Sequence, residues 1–291
     1  MRTQSQPRSL SASVRIRGPV HVRNASYIGF VTLRSARTHP HHRRRPAEGL
    51  AHCASRASAP ISGECFQAAC GVIAAPLFVA SFTAIGAKRV GYDWQRYPVS
   101  SLADGQSGWL QRVNFVLTGL LYCIAAHGLA RSPKRLVGPR VVPALLFGVG
   151  VGLVGSGVFV TDPVAGFPPA PCSQDGADPT SPATPTRSGK LHNLCAVPIF
   201  VGIPVAALTS AASAARGKQG RWASYSAASA VAMMGSFVLF GRAFGGATPS
   251  AGRGGIFQRI SIVTGFGWLS ALSLRAAMNG RPTRLEVRSP R

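Results

Sequence analysis

Six uninterrupted apolar runs, at about 66–86, 110–130, 141–161, 191–212, 222–241 and 256–276, constrain this chain more than any other feature. A hydrocarbon core takes roughly 20 residues of helix to cross, and each run meets that length. A soluble helical fold would need a polar stripe recurring every 3.6 residues along each surface helix, and the runs lack one. The fifth, WASYSAASAVAMMGSFVLFG, opens with several hydroxyls and reads as the least apolar, yet it carries no charge. The expected fold class is therefore all-α: a polytopic integral membrane protein, a bundle of six transmembrane helices.

Charge then orients the bundle. Only 14% of residues are charged, well below the roughly 25% of an ordinary soluble domain. Lys and Arg number 32 against 8 Asp and Glu, an excess that fits either a nucleic-acid binder or basic cytoplasmic segments. Position separates the two. With the N-terminus inside, the inner segments hold 23 of the 32 cations: eleven in residues 1–65, four in RSPKRLVGPR, three in ARGKQGR and five from Arg275 onward. The outer connections hold five of the eight acids, Asp93, Asp104, Asp162, Asp175 and Asp178. Both termini are thus expected in the cytoplasm, with the bilayer as the principal partner and no specific nucleic acid.

Residues 1–60 are rich in Arg, Ser, Pro and His with one acid, Glu48, and are expected to be a disordered basic tail. A tail resting on anionic lipid, an organellar leader and a start codon placed too far upstream are the alternatives. The segment 61–280 is the six-helix membrane domain, and 281–291 a short basic cytoplasmic tail. The six cysteines show no metal spacing; free thiols are expected, with a Cys172–Cys195 pair as the alternative. No metal set and no cofactor are expected.

Polar groups at the outer helix ends are the candidate site. Asp162 ends the third run in FVTDPVAGFPP and His192 with Asn193 opens the fourth in KLHNL, so a hairpin brings carboxylate and imidazole to one depth. Such a pair relays protons, holds a metal or makes a structural hydrogen bond. Arg112, Arg242 and Arg259 fall at the same level, against the positive-inside trend, and are expected to pair with Asp93, Asp104 or Asp162 or to receive an anionic headgroup. Ser100 and Ser101 in PVSSLADG lack a GxSxG context and read as turn hydroxyls, and Asn114 completes the cluster. His127 lies near the inner end of the second run, where an interfacial role is expected. Trp94, Tyr97 and Trp109 are expected in the interfacial belt. In the third run Gly148, Gly152 and Gly155 or Ser156 form a small-residue face for close packing, and Pro76, Pro198 and Pro204 should kink the first and fourth helices. Gln-Arg followed by Thr-Gly recurs in the second and sixth runs (Gln111, Arg112, Thr118, Gly119; Gln258, Arg259, Thr264, Gly265), either a weak hairpin repeat or chance.

The combination YDWQRYPVSSLADGQSGWLQRVNFVLTG, FVTDPVAGFPP and GKLHNLCAVPIF resembles the uncharacterised six-pass bacterial membrane family called domain of unknown function 998. The motif positions are Tyr92, Asp93, Pro98, Ser100, Ser101, Gly108, Trp109, Arg112, Asn114, Phe115, Asp162, Pro163, His192 and Asn193. The resemblance spans about 66–276 and implies six helices in a bacterial cytoplasmic membrane, without a known activity. The long basic leader and the Pro-rich insert at 170–188 depart from it. The expected function is binding or transport of a lipid or small amphiphile at the outer helix ends, leaning away from an enzyme. A lipid hydrolase using Asp162 and His192, and a structural partner in a membrane complex, are the alternatives.

Overall fold

The computed structural model describes residues 63–164, 166–168, 185–244 and 252–279. Both tails and the segment holding Cys172 lie outside the described residues, so the expectations made for them and for a Cys172–Cys195 pair do too. Six long helices account for most of the rest: α1 Gly63–Lys88, α2 Trp109–Arg131, α3 Val141–Val158, α4 Arg187–Arg216, α5 Gly220–Arg242 and α6 Gly254–Asn279. All six are long and apolar enough to cross a membrane. The fifth has a mean hydropathy of 1.4 and the sixth 1.3, so α6 is slightly the less apolar of the two. The described residues contain no strand.

Each helix packs on the next in sequence, and α6 returns to pack on α1. The chain therefore closes into a ring of three hairpins. Alternate helices run in opposite directions, so one end of the ring carries the long connections, 89–108, 159–186 and 243–253, and the other carries the short ones. Side chains pointing inward form the core, in which Trp268, Tyr122, Phe78 and Phe266 are fully enclosed.

Helix α3 sits between α2 and α4 because it has small residues on two faces. A side chain at Gly152 or Gly155 would run into Cys195 of α4, and one at Gly150 or Gly157 would run into the α2 backbone at Gly119 or Arg112. The Gly152–Gly155 face was legible in the spacing; the second face was not. Both are consumed inside the chain, which removes the sequence argument for a partner protein on that helix. Cys195 is a free thiol lodged against these glycines.

The fourth helix departs from regular geometry at the expected place. Pro198 lacks an N–H, and the ladder widens into one π-helical segment, Pro198–Gly202, before α-geometry resumes at Ile203. The widened turn leaves Ile199, Phe200 and Ile203 all buried against the ring interior. Pro76 lies within α1, which continues through it.

At the short-connection end, Arg275 of α6 ties three elements together. Its Nε donates to the Leu136 carbonyl at 3.0 Å, its guanidinium bonds Gln219, and it lies 4.7 Å from the Trp222 ring centroid. Trp222 in turn donates to Ser210 Oγ at 3.1 Å, and Ser210 donates to the Val137 carbonyl at 3.0 Å. Arg275 reads in the sequence as one more topology-setting cation; it is also a clamp. His127, exposed near the same end of α2, contacts Arg131 one turn on.

Candidate functional site

At the long-connection end the first connection folds onto the start of α6. Asp93 Oδ1 accepts the Gln95 N–H at 2.9 Å while its carbonyl accepts those of Arg96 and Tyr97, a tight turn of the kind Asp favours. The turn aims the carbonyls of residues 94–97 at the first turn of α6, whose N–H groups have no partner within the helix. Gly255 donates to the Arg96 carbonyl and Ile256 to the Gln95 carbonyl, each at 3.1 Å. One turn later Arg259 donates to the carbonyls of Trp94 at 2.6 Å and Tyr97 at 3.2 Å, and to the Tyr92 hydroxyl at 2.7 Å. Tyr92 passes its own proton to the Pro98 carbonyl at 2.9 Å. Burial pushes the Tyr92 phenol above its ordinary pKa, and the neighbouring Arg259 charge offsets part of that.

Three of the four residues in the two Gln-Arg pairs serve this connection, all but Gln111. Gln258 Oε1 accepts the Val99 N–H at 2.6 Å, at the start of a 3-10 turn over Val99–Ala103, and Arg112 Nε donates to the Ala103 carbonyl at 3.0 Å, at its end. Arg89 reaches the Asp104 carbonyl at 2.7 Å. Arg112 and Arg259 therefore bind main-chain carbonyls, not the carboxylates of Asp93, Asp104 or Asp162 expected from the sequence. The reason is proximity: a connection packed onto helix ends presents several unpaired carbonyls to each guanidinium fork. Arg242 ends α5 with its side chain exposed.

The second long connection contributes Phe167, which is 2% exposed. Its ring stacks on Tyr97 at 4.9 Å between centroids and meets the edge of Tyr92 at 5.3 Å. Tyr97 is thus part of an aromatic stack, whereas Trp94 and Trp109 are exposed as belt residues would be. Nothing in the sequence pattern marked Phe167.

Asp162 and His192 approach each other but have separate partners. Helix α3 stops at Val158, four residues short of Asp162, and α4 starts at Arg187, earlier than its apolar run implied. The cause is a cap: Thr186 Oγ1 accepts the Gly189 N–H at 3.0 Å and donates to Asp162 Oδ1 at 2.6 Å, and the Thr186 N–H donates to Asp162 Oδ2 at 3.1 Å. The carboxylate lies at the positive end of α4, where a negative charge is favoured. Ser188 fastens the same corner by exchanging hydrogen bonds with the Val160 N–H and carbonyl, each at 2.9 Å. His192, 5% exposed, has Nδ1 at 2.8 Å from the Phe159 carbonyl. A carbonyl only accepts, so Nδ1 carries the proton, and Nε2 of the neutral ring is an acceptor. Neither His192 nor Asp162 is hydrogen-bonded to Ser100 or Ser101, so no nucleophile and base are joined.

Beneath this cap the ring encloses a cavity of about 290 Å³. Its walls are mainly apolar: Phe78, Phe115, Leu153, Ile199, Phe200, Phe237, Phe240, Ile262 and Phe266. Its polar lining is Ser100, Ser156, His192, Asn193 and Gln258, and no charged side chain lines it. Val197 and Val201, beside and within the π-helical segment, line it and are 51% and 44% exposed. Five buried polar atoms have no partner in the described structure: Ser101 Oγ, Gln111 Nε2, Thr118 Oγ1, Tyr122 OH and Ser156 Oγ. Of these residues, Ser156 is the one that lines the cavity.

Apart from Arg242, at the exposed end of α5, the ten sequence-predicted residues divide by role. Ser100, His192 and Asn193 line the cavity. Asp93, Arg112 and Arg259 hold the first connection, and Asp162 caps α4. Asn114 is buried, donating to the Phe78 carbonyl at 3.2 Å and to Gln111 at 3.3 Å, and Ser101 is buried in the 3-10 turn. Ser156 and Gln258 were missed as site residues. Ser156 stood out only as a small packing residue, and Gln258 only through its recurrence with Gln111.

Fold and cavity together define the class: an all-helical membrane protein with six spans and a largely apolar chamber at one end. The chain belongs to the family described as protein of unknown function (DUF998), whose model matches residues 72–275, from α1 to α6. No curated protein and no solved structure matches the chain.

Proposed function

We propose that this protein binds a membrane amphiphile, admitting its chain sideways from the bilayer into the cavity at the long-connection end. One observation carries the reading: a largely apolar chamber with hydrogen-bonding groups in its lining is bordered by Val197 and Val201 of α4, both about half exposed, which supports entry from the side. At about 290 Å³ it is at the small end of ligand sites and holds roughly ten water-sized volumes, enough for one short chain but not a whole phospholipid. The first connection, pinned to α6 by Arg259 and Gln258, forms a fixed roof, so access runs through the side. The charge pattern supports placing this end on the outer face of the membrane, with both termini inside.

Replacing Ala196, which lines the cavity, by Phe fills the chamber without touching the roof. Wild-type protein purified from membranes should retain a stoichiometric amphiphile in its lipid extract, read by mass spectrometry, and Ala196→Phe should not. Identical extracts from the two proteins would reject the binding role.

A further inference from the structure

We infer that the head of the bound amphiphile is uncharged and of the hydroxyl type, as in a long-chain or isoprenoid alcohol. This rests on the cavity being an amphiphile site, and it names what kind. Two arginines and two helix N-termini at this end that could receive a phosphate or carboxylate are already occupied. Arg112 and Arg259 bind the carbonyls of the first connection, and neither lines the cavity. Helix N-termini are the other common anion sites. That of α4 is filled by the Asp162 carboxylate through Thr186, and that of α6 donates to the Gln95 and Arg96 carbonyls. An anionic head would meet no cation in the lining and would face Asp162 at the nearby cap.

Among the polar lining residues Ser100, Ser156, His192, Asn193 and Gln258, one hydroxyl and one imidazole carry the assignment. Ser156 is 2% exposed, lines the chamber, and its Oγ has no partner. A buried hydroxyl left unpaired is costly, so Ser156 favours a ligand atom that can hydrogen-bond with it. His192, on the same wall, has Nδ1–H engaged by the Phe159 carbonyl, which leaves Nε2 to accept. An alcohol matches this pair: its proton goes to the imidazole nitrogen, and its oxygen receives the Ser156 proton. A carboxylate or a dianionic phosphate monoester supplies acceptors alone and leaves Nε2 without a donor.

The test uses full-length protein in nanodiscs, dialysed against empty nanodiscs with radiolabelled dodecanol, dodecane, dodecyl phosphate or dodecanoate. Retention is scored as excess over the empty discs. Dodecanol should be retained above dodecane, and at least about tenfold above both anions, because a charge without a compensating partner is strongly disfavoured there. Ser156→Ala should lower dodecanol retention to the dodecane level while leaving dodecane unchanged. Retention of either anion equal to that of the alcohol, or of dodecane equal to dodecanol in the wild type, overturns the head assignment and leaves an amphiphile cavity standing. Retention of none of the four overturns the cavity reading itself. The comparison of probes on wild-type protein stands even if the serine variant does not fold.

Discussion

Arg259 and Tyr92 lie 167 residues apart and share a hydrogen bond of 2.7 Å, with the guanidinium also 5.7 Å from the Tyr92 ring centroid. That contact joins the last helix to the first connection, and through it the ring is closed at the level of the cavity roof. The same guanidinium reaches the Trp94 and Tyr97 carbonyls, so one side chain fixes the path of six residues.

Arg259→Lys should therefore destabilise the protein although the charge is kept. A lysine ammonium cannot serve the phenol and two carbonyls in the fork geometry, and hydrogen bonds to charged groups contribute about 1.5–3 kcal/mol each. We expect a loss of about 3 kcal/mol in reversible unfolding, with the long-connection end opening first in hydrogen exchange. Unchanged protection of residues 92–99 would refute the clamp.

The Tyr92 phenol makes the roof sensitive to alkaline pH. Its pKa is raised in the folded protein, chiefly by burial, so the folded state holds the proton more tightly than the unfolded chain. The resulting stability is complete below the unfolded value of about 10 and declines as pH rises from there through the folded pKa. Tyr92→Phe should cost about 1 kcal/mol at neutral pH through the lost hydrogen bonds and should flatten that alkaline decline. Stability curves of equal slope above pH 10 in the two proteins would count against it.

Two glycines of α6 should respond in opposite ways to alanine. A Cβ at Gly255 meets the Trp94, Gln95 and Tyr97 carbonyls, all main chain, and has nowhere to go; one at Gly267 meets nothing within 4 Å. Gly255→Ala should lift the first connection and lower stability by about 2 kcal/mol or more, as overpacking does. Gly267→Ala should be neutral or stabilising by up to about 1 kcal/mol, because alanine loses less backbone entropy in a helix. Thermal unfolding of the pair separates a packing role from general glycine flexibility.

Asp162 is a stability residue here, which changes what its mutation should do. Thr186→Ala should cost about 1 kcal/mol as the loss of an N-cap, and Asp162→Asn a similar amount by weakening the same cap. Both variants should keep the amphiphile in their lipid extracts, while filling the cavity at Ala196 removes it. Loss of the amphiphile from folded Asp162→Asn would place the carboxylate at the ligand instead.

The six spans were readable because each is long, apolar and bounded by polar connections, and the starts and ends of most agree within a few residues. The exceptions have local causes. Helix α3 ends early because Phe159 turns its carbonyl to His192, and α4 begins early because Thr186 and Asp162 build a cap that hydropathy does not register. The expected salt bridges of Arg112 and Arg259 were wrong in partner: a list of charges contains the acids but not the main-chain carbonyls that a folded connection turns inward. The Gln-Arg recurrence was visible, and its meaning as two ends of one clamp depended on where Val99 and Ala103 came to lie.

By itself, the sequence determined that this is an all-helical membrane protein, where its helices run and where α4 deforms, because these follow from hydropathy and from the missing N–H of proline, both properties of local sequence. Tertiary structure alone decided that GYDWQRYPVSSLADGQSGW is a roof docked on α6, that Phe167 packs into it, and that Ser156 and His192 face a common chamber. Those outcomes arise from contacts between residues scores of positions apart, and they depend on ring closure, which brings the long-connection ends of α2, α3, α4 and α6 together around one space.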